Sequence, residues 1–192
     1  MARRRPDDGD AADRDLLTRI ARGDRRAFEA FYRAHARSVL AFVRDVVHLP
    51  ELAEEVAADV MVAVWTSAAR YRGNARAMTW VLGIAHHKSI DALRRGGRAA
   101  VALDAALGLA GSNDVPEEIV MRAFERAELE RALNTLTPEH RAVLQLMYAF
   151  SRTLAEIADI AGCPVATVKT RLFYAKRRLR DALDRAATGD LS

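Results

Sequence analysis

The chain has 192 residues, enough for one large domain or two small ones, and 51% of them are hydrophobic, so a packed core is feasible. A formal net charge of +4 points only weakly to an anionic partner, and the single cysteine, Cys163, excludes an internal disulfide and a multi-cysteine zinc site. The N-terminal segment lacks the apolar stretch of a signal peptide, and no apolar run approaches the roughly 18 residues of a membrane span. We therefore expect a cytoplasmic protein without membrane insertion.

The N-terminal half carries apolar residues at helical spacing, and no segment alternates convincingly with a period of two residues. Gly23 and Asp24 fit the C-terminal glycine of one helix and the N-cap of the next. Four helices with short connections can enclose one small core. The pattern predicts a disordered leader over residues 1–13 and a helical lobe over 14–95, with helices at about 13–22, 25–47, 51–70 and 76–95.

The periodicity fades after the fourth helix. Between Gly96 and Asp114 the chain has four glycines and few large side chains, which is typical of a linker. Helical spacing then returns, and Thr137 and Pro138 fit an N-cap and the first residue of a helix. The sequence thus predicts an all-α protein of two small helical lobes joined by a flexible linker, with the linker at 96–124, the second lobe at 125–185 and a tail at 186–192.

The second lobe contains the pattern of a helix-turn-helix. Two apolar stripes, at 154–161 and 165–179, are separated by the turn Gly162-Cys163-Pro164, in which Cys163 fits a buried turn residue better than a redox sensor. Hydroxyls, an aromatic ring and guanidinium groups in such a helix suit base edges and phosphates, so we expect it to bind DNA. The face opposite the stripe carries Thr167, Thr170, Arg171, Tyr174 and Arg178, flanked by Lys169, Phe173, Lys176 and Arg177.

Charge is divided unevenly within the first lobe. Residues 45–69 hold five acids and no Lys or Arg, whereas residues 70–98 hold seven basic residues and one acid, Asp91. One interpretation is that two solvated helix faces pair with each other. The other is that the acidic helix meets a basic protein surface and the basic helix meets nucleic acid.

Four stretches in order resemble the extracytoplasmic-function (ECF) sigma factors, the small two-lobed members of the sigma-70 family. The resemblance covers about residues 14–95 and 125–183. The stretches are "AFEAFYRAHARSVLAFV" for region 2.1, "AEEVAADVMVAVW" for region 2.2, "YRGNARAMTWVLGIAHHKSIDALRR" for regions 2.3 and 2.4, and "LAEIADIAGCPVATVKTRLFYAKRRL" for region 4.

The resemblance implies contacts with RNA polymerase, a path for the linker and a separate protein inhibitor. The region 2.2 helix would dock on the clamp of the RNA polymerase β′ subunit through Glu55, Asp59, Val60, Met61 and Trp65. Relatives often have Gln where this chain has Ala58. Region 4 would contact the β flap, the linker would thread the polymerase cleft, and a separate anti-sigma factor would hold the protein inactive.

The resemblance also implies two sites on promoter DNA. A loop before the fourth helix would capture a base flipped out of the −10 element. Trp80 could be a wedge in the DNA or a core residue, and its apolar neighbours Val81 and Ile84 favour the core. His87 stands where many relatives carry Asn, and Tyr174 where they often carry Arg. The −10 residues would be Tyr71, Arg72, Asn74, Arg76, His87 and Lys88, and the −35 residues Thr167, Lys169, Thr170, Arg171, Phe173, Tyr174 and Arg178.

Two other functions are weighed against this one. A stand-alone helix-turn-helix regulator could dimerise through its N-terminal lobe and bind a palindrome without polymerase. An enzyme is disfavoured, because the five histidines form no HExxH motif and no glycine-rich phosphate loop is present. We expect no catalytic residue, metal or cofactor.

Overall fold

The computed structural model describes residues 6–96 and 129–187, with side chains described for 9–96 and 129–185. No β-strand occurs in these ranges, and the all-α prediction is confirmed. The residues of the expected linker beyond Gly96, and most of the expected tail, lie outside the described residues. The α-helices are α1 (Pro6–Ile20), α2 (Arg25–Val47), α3 (Pro50–Ser67), α4 (Ala77–Gly96), α5 (Pro138–Tyr148), α6 (Leu154–Ala161) and α7 (Val165–Ala187), with a 3-10 helix at Ala68–Arg70 and helical residues at 129–134.

The N-terminal lobe is a bundle in which α2 packs against α1, α3 and α4. The buried face of α2 carries Phe31, Phe42 and Val43, all fully buried, as its helical spacing predicts. The carboxylate of Asp24 accepts hydrogen bonds from the backbone N–H groups of Arg26 and Ala27, so the predicted N-cap is confirmed.

Helix α1 departs from the sequence prediction. It begins at Pro6, where a disordered leader over residues 1–13 was expected. Two of its carboxylates make tertiary contacts: Asp10 accepts from the backbone N–H of Ala77 at 2.8 Å, and Asp13 lies 2.7 Å from the ring of His35. These contacts with α2 and α4 stabilise a polar helical turn that local composition gives no reason to expect.

The C-terminal lobe is built from α5, α6 and α7. Thr137 caps α5 by accepting from the backbone N–H of His140, with Pro138 at the first helical position, as predicted. Thr153 and Glu156 form a reciprocal capping box at the start of α6. Gly162 ends α6 with φ of +60°, a conformation that glycine adopts without strain. The predicted helix-turn-helix is therefore present.

The two lobes pack directly on each other. Helix α4 contacts α6, and α2 contacts α5. Phe42 and Phe150 meet edge to face across the second of these contacts, with ring centroids 5.8 Å apart. Separately, no helix of the described residues is both long and apolar enough to cross a membrane.

Candidate nucleic-acid and polymerase interfaces

The start of α6, the first helix of the helix-turn-helix, is held by a network centred on Glu156. Its carboxylate accepts from the backbone and hydroxyl of Thr153, from Thr79 and from Arg152. Burial by itself would raise the pKa of Glu156, but these hydrogen bonds outweigh it and lower the pKa to about 2. The carboxylate therefore stays charged and fixes the start of α6 at neutral pH.

Helix α7 buries its apolar stripe and leaves a mixed face in solvent. Val168, Leu172 and Ala175 are buried against α5 and α6. Phe173 and Tyr174 are 61% and 49% exposed and form a T-shaped pair with ring centroids 5.4 Å apart. Exposed aromatic rings on a basic helix are suited to apolar contact and stacking with bases rather than to core packing.

The sequence-predicted −35 residues divide between this face and its edge. Arg171 is half-buried, with Nη1 3.8 Å from Sγ of the half-buried Cys163, and so lines the turn. Thr167 is also half-buried, whereas Arg178 is exposed. The structure brings together on one exposed surface, which we call the α7 face, the side chains of Lys169, Thr170, Phe173 and Tyr174.

The loop before α4 is pinned by Tyr71. Its ring lies against Trp80 with centroids 5.4 Å apart, and its hydroxyl donates to the carbonyl of Ala75 at 2.7 Å. Burial raises the pKa of Tyr71, which keeps the hydroxyl protonated as a donor. Gly73 has φ of +74°, which turns the chain sharply between the exposed predicted contacts Arg72, Asn74 and Arg76.

The other two predicted −10 residues lie farther along α4. His87 is exposed, and its Nδ1 donates to the carbonyl of Gly83 at 2.7 Å. Lys88 is half-buried and pairs with Asp59 of α3 at 3.2 Å. Trp80, expected in the core, is half-buried and packs against it.

The predicted polymerase surface on α3 needs a correction. Val60 is fully buried and Met61 is 3% exposed, so Val60 packs in the bundle core and is not available to touch a partner. Glu55 and Asp59 are exposed, and Trp65 is half-buried with its ring edge against Phe28.

An apolar side chain that the prediction omitted, Val62, is 60% exposed on the same helix. An open groove of about 430 Å³ runs between α2 and α3. Its lining includes the apolar Leu40, Ala57 and Met61 and the charged Arg33, Arg37 and Glu54. The exposure of Val62 and of this groove indicates an apolar contact area on α3, the acidic helix. The sequence alone did not show this area.

Comparisons with known proteins match both lobes. The model of sigma-70 region 2 matches residues 31–99, and that of sigma-70 region 4 matches residues 126–179. The ECF RNA polymerase sigma factor SigK of Mycolicibacterium vanbaalenii is 31% identical over 171 residues, which cover 88% of this chain and 87% of that protein. SigK of Mycobacterium tuberculosis H37Rv is 27% identical over 172 residues, covering 88% and 92%.

Solved structures show the same fold. CnrH in complex with the cytosolic domain of CnrY has a TM-score of 0.67 at 22% identity and covers 90% of this chain and 97% of that one. The sigma factor RpoE in complex with the anti-sigma factor NepR from Bartonella quintana has a TM-score of 0.65 at 20% identity, with 82% and 96% covered.

The sequence matches decide between the functions weighed above. A stand-alone dimeric regulator is not favoured, because relatives that match across both lobes are sigma factors. Sigma factors are transcription initiation factors that bind core RNA polymerase and direct it to promoters through the −35 and −10 elements. The chain belongs to the ECF sigma factors of the sigma-70 family.

Proposed function

We propose that the two lobes divide promoter recognition between them. Residues 14–95 bind the clamp of the polymerase β′ subunit and open the −10 element. Residues 125–185 bind the −35 element and the β flap. The observation that carries the proposal is the α7 face, where Lys169, Thr170, Phe173 and Tyr174 are exposed together while the apolar stripe of the same helix is buried.

The α7 face supplies both kinds of contact that a major-groove helix needs. The hydroxyl of Thr170 and the phenol of Tyr174 can bond to base edges, and the ring of Phe173 can contact a thymine methyl group. Lys169 lies at the side of this face, where its ammonium group reaches phosphate. Thr167, Arg171 and Arg178 border the same face and complete the proposed −35 set.

Tyr71 and Trp80 form an aromatic platform for the flipped −10 base. Extruding a base costs a few kcal/mol, and stacking on an aromatic ring returns about 1–3 kcal/mol. Asn74 supplies donors and an acceptor for the base edge, and Arg72 and Arg76 supply cations for the backbone. His87 and Lys88 extend this proposed −10 surface along α4.

The polymerase clamp is proposed to meet the exposed part of α3. Glu55 and Asp59 offer carboxylates to a basic surface, and Val62 adds apolar area. Met61 reaches the surface only along the groove, and Val60 supports the helix from inside.

We further propose that the protein acts in the cytoplasm and is held inactive by an anti-sigma factor. A structural neighbour of the same fold is described in complex with an anti-sigma factor. The exposed apolar and acidic groups of α3 give such a partner a surface that overlaps the proposed clamp site, so inhibitor and polymerase would compete.

Two substitutions, one in each lobe, test whether the lobes bind separate promoter elements. Holoenzyme is assembled with purified core polymerase, and a promoter fragment is selected by in-vitro transcription on genomic fragments. Tyr174→Ala should lose protection of the −35 element, because the α7 face loses a base contact. Tyr71→Ala should keep that protection and lose permanganate reactivity of unpaired thymines at −10, because the flipped base has no platform.

The matched control is Tyr148→Phe, which changes another tyrosine, 63% exposed, at the end of α5 and keeps the ring over which Lys176 lies. It should leave both footprints and core binding unchanged. If Tyr71→Ala weakens capture of core polymerase as much as it weakens opening, the base platform is wrongly assigned. An intact −35 footprint in Tyr174→Ala removes that residue from the DNA contact.

A further inference from the structure

The side chain of Lys176 on α7 lies over an aromatic ring that another helix supplies. Its Nζ is 5.4 Å from the centre of the ring of Tyr148, the last residue of α5, which is within the range of a cation–π contact. Lys176 is exposed, and Tyr148 is 63% exposed. The pair therefore lies on the surface of the C-terminal lobe, where a bound partner can reach it.

Lys176 belongs to the same edge of α7 as Lys169. Lys169, Phe173 and Lys176 are spaced by four and then three residues, so they form one row along the helix. Seven residues of α-helix span about 10 Å, which places the two lysines two turns apart beside the α7 face. A helix that reads bases in the major groove is flanked by the phosphates of the groove walls. This edge of α7 can therefore contact the DNA backbone at two places.

The ring of Tyr148 restricts where the ammonium group of Lys176 can go. A lysine side chain has four rotatable bonds, and fixing them upon binding costs conformational entropy. A ring that holds the cation before DNA arrives reduces this cost, and the contact leaves the positive charge in place. Because the ammonium group has three N–H donors, it can donate to a phosphate while it lies over the ring.

Stabilisation of the lobe does not account for the pair. Helix α5 already packs on α7 through buried side chains, among them Leu146 of α5 and Leu172 and Ala175 of α7. A cation–π contact at an exposed site adds little to such a core. The exposed position of the pair, in line with Lys169, is instead what a contact with DNA requires.

We propose that Tyr148 is a positioning residue for promoter binding: its ring holds Lys176 where the ammonium group contacts a phosphate of the −35 element. The inference rests on the proposed −35 role of α7 and extends that role to a residue of α5. A phosphate contact carries no sequence information, so the pair should strengthen binding to different promoters by similar factors.

Filter binding of the holoenzyme to the selected promoter fragment, at several salt concentrations, tests the phosphate contact. Lys176→Ala should weaken binding and reduce the slope of log affinity against log salt by about one unit. Lys176→Arg keeps a cation that stacks on aromatic rings, so it should retain the wild-type slope. Lys169→Ala, on the same edge of α7, is the reference for a second phosphate contact.

Substitutions of Tyr148 test the role of the ring. Tyr148→Leu supplies an apolar residue that favours a helix but removes the ring, so the affinity for the promoter should fall about two- to fivefold. Tyr148→Phe keeps the ring and should bind like the wild type. In the Lys176→Ala background, Tyr148→Leu should have no further effect, because the ring acts only through the lysine.

Three results would overturn the proposal: a wild-type salt slope in Lys176→Ala, wild-type affinity in Tyr148→Leu, or an equal loss upon Tyr148→Leu with and without Lys176. These results differ from a failure of the proposed function. If Lys169→Ala reduces the slope while Lys176→Ala does not, α7 still contacts DNA and only the pair of Tyr148 and Lys176 is wrongly assigned. If neither lysine changes the slope, the −35 role of α7 fails as well.

Discussion

The proposed role of Lys169 can be tested by the salt dependence of promoter binding. It is exposed on the α7 face, and a lysine that neutralises one phosphate releases about one counterion. Lys169→Ala should therefore weaken holoenzyme binding to the promoter and reduce the slope of log affinity against log salt by roughly one unit. Filter binding at several salt concentrations measures this slope.

Arg22→Ala is the control for net charge. Arg22 is exposed between α1 and α2, away from the proposed DNA contacts, and its removal changes the charge of the protein by the same amount. Its salt slope should equal that of the wild type. A Lys169→Ala slope that also matches the wild type would mean that this lysine does not contact phosphate in the complex.

At the scale of single residues, the sequence predicted the helix caps correctly. It did not predict which apolar residues of α3 are exposed to solvent. The Asp24 and Thr137 caps depend on local hydrogen bonds, which a few neighbouring residues determine. Val60 was misplaced because α3 is apolar on most of its sides, so periodicity does not show which apolar residues face solvent. Packing of α2 and α4 against α3 decides that Val60 is buried and Val62 is exposed.

Among the helices, α1 holds the loop before α4 in place, a role that its sequence did not predict. Asp10 accepts from the backbone N–H of Ala77, the first residue of α4, and pairs with Arg14 at 2.8 Å. Nη1 of Arg14 lies 3.8 Å from the position of a Cβ on Gly73 in the loop before α4. A cap supplied by a distant helix therefore fixes the loop that carries Tyr71.

Asp10→Ala should lower the free energy of unfolding by about 1 kcal/mol, as loss of an N-cap does. It should also reduce −10 opening by the holoenzyme, because the loop loses its anchor. Urea denaturation and permanganate reactivity measure the two effects. Asp10→Asn keeps an acceptor for the Ala77 N–H and should retain most of both. If both variants open promoters like the wild type, α1 does not position the loop.

For the whole molecule, two helical lobes could be predicted but their mutual packing could not. The helical stripes and the linker composition report local structure, whereas Thr79 and Glu156 are 77 positions apart and meet only in the folded chain. Gly83 and His87 of α4 lie against the backbone of α6 and of the turn after it, with a Cβ on Gly83 placed 4.0 Å from the Cα of Ile160. Neither residue carries a signal for this contact in the sequence, because both are equally compatible with a solvent-exposed helix. The packing of the two lobes on each other therefore could be read only from the three-dimensional arrangement.

The buried His86 and the half-buried His48 make this folded arrangement sensitive to acid. Burial lowers the pKa of His48 and that of His86 from the ordinary 6.5 to about 4. Arg141 lowers the pKa of His48 further while Glu130 opposes it, and His87 and Arg171 lower that of His86 while Glu139 opposes it. Below pH 6.5 the unfolded chain therefore binds more protons than the folded chain.

The free energy of unfolding should consequently fall as the pH falls from about 6.5 toward 4, by up to about 1.4 kcal/mol per pH unit for each histidine. His48→Asn isolates one of them, because His48 has φ of +57° and asparagine tolerates this conformation without titrating. Urea denaturation between pH 7 and pH 5 should show a shallower slope in this variant than in the wild type, because His86 and His140, whose pKa values are also lowered by burial, still contribute. Glu156, with a pKa of about 2, stays ionised across this range. An identical slope in His48→Asn would assign the acid sensitivity to other groups.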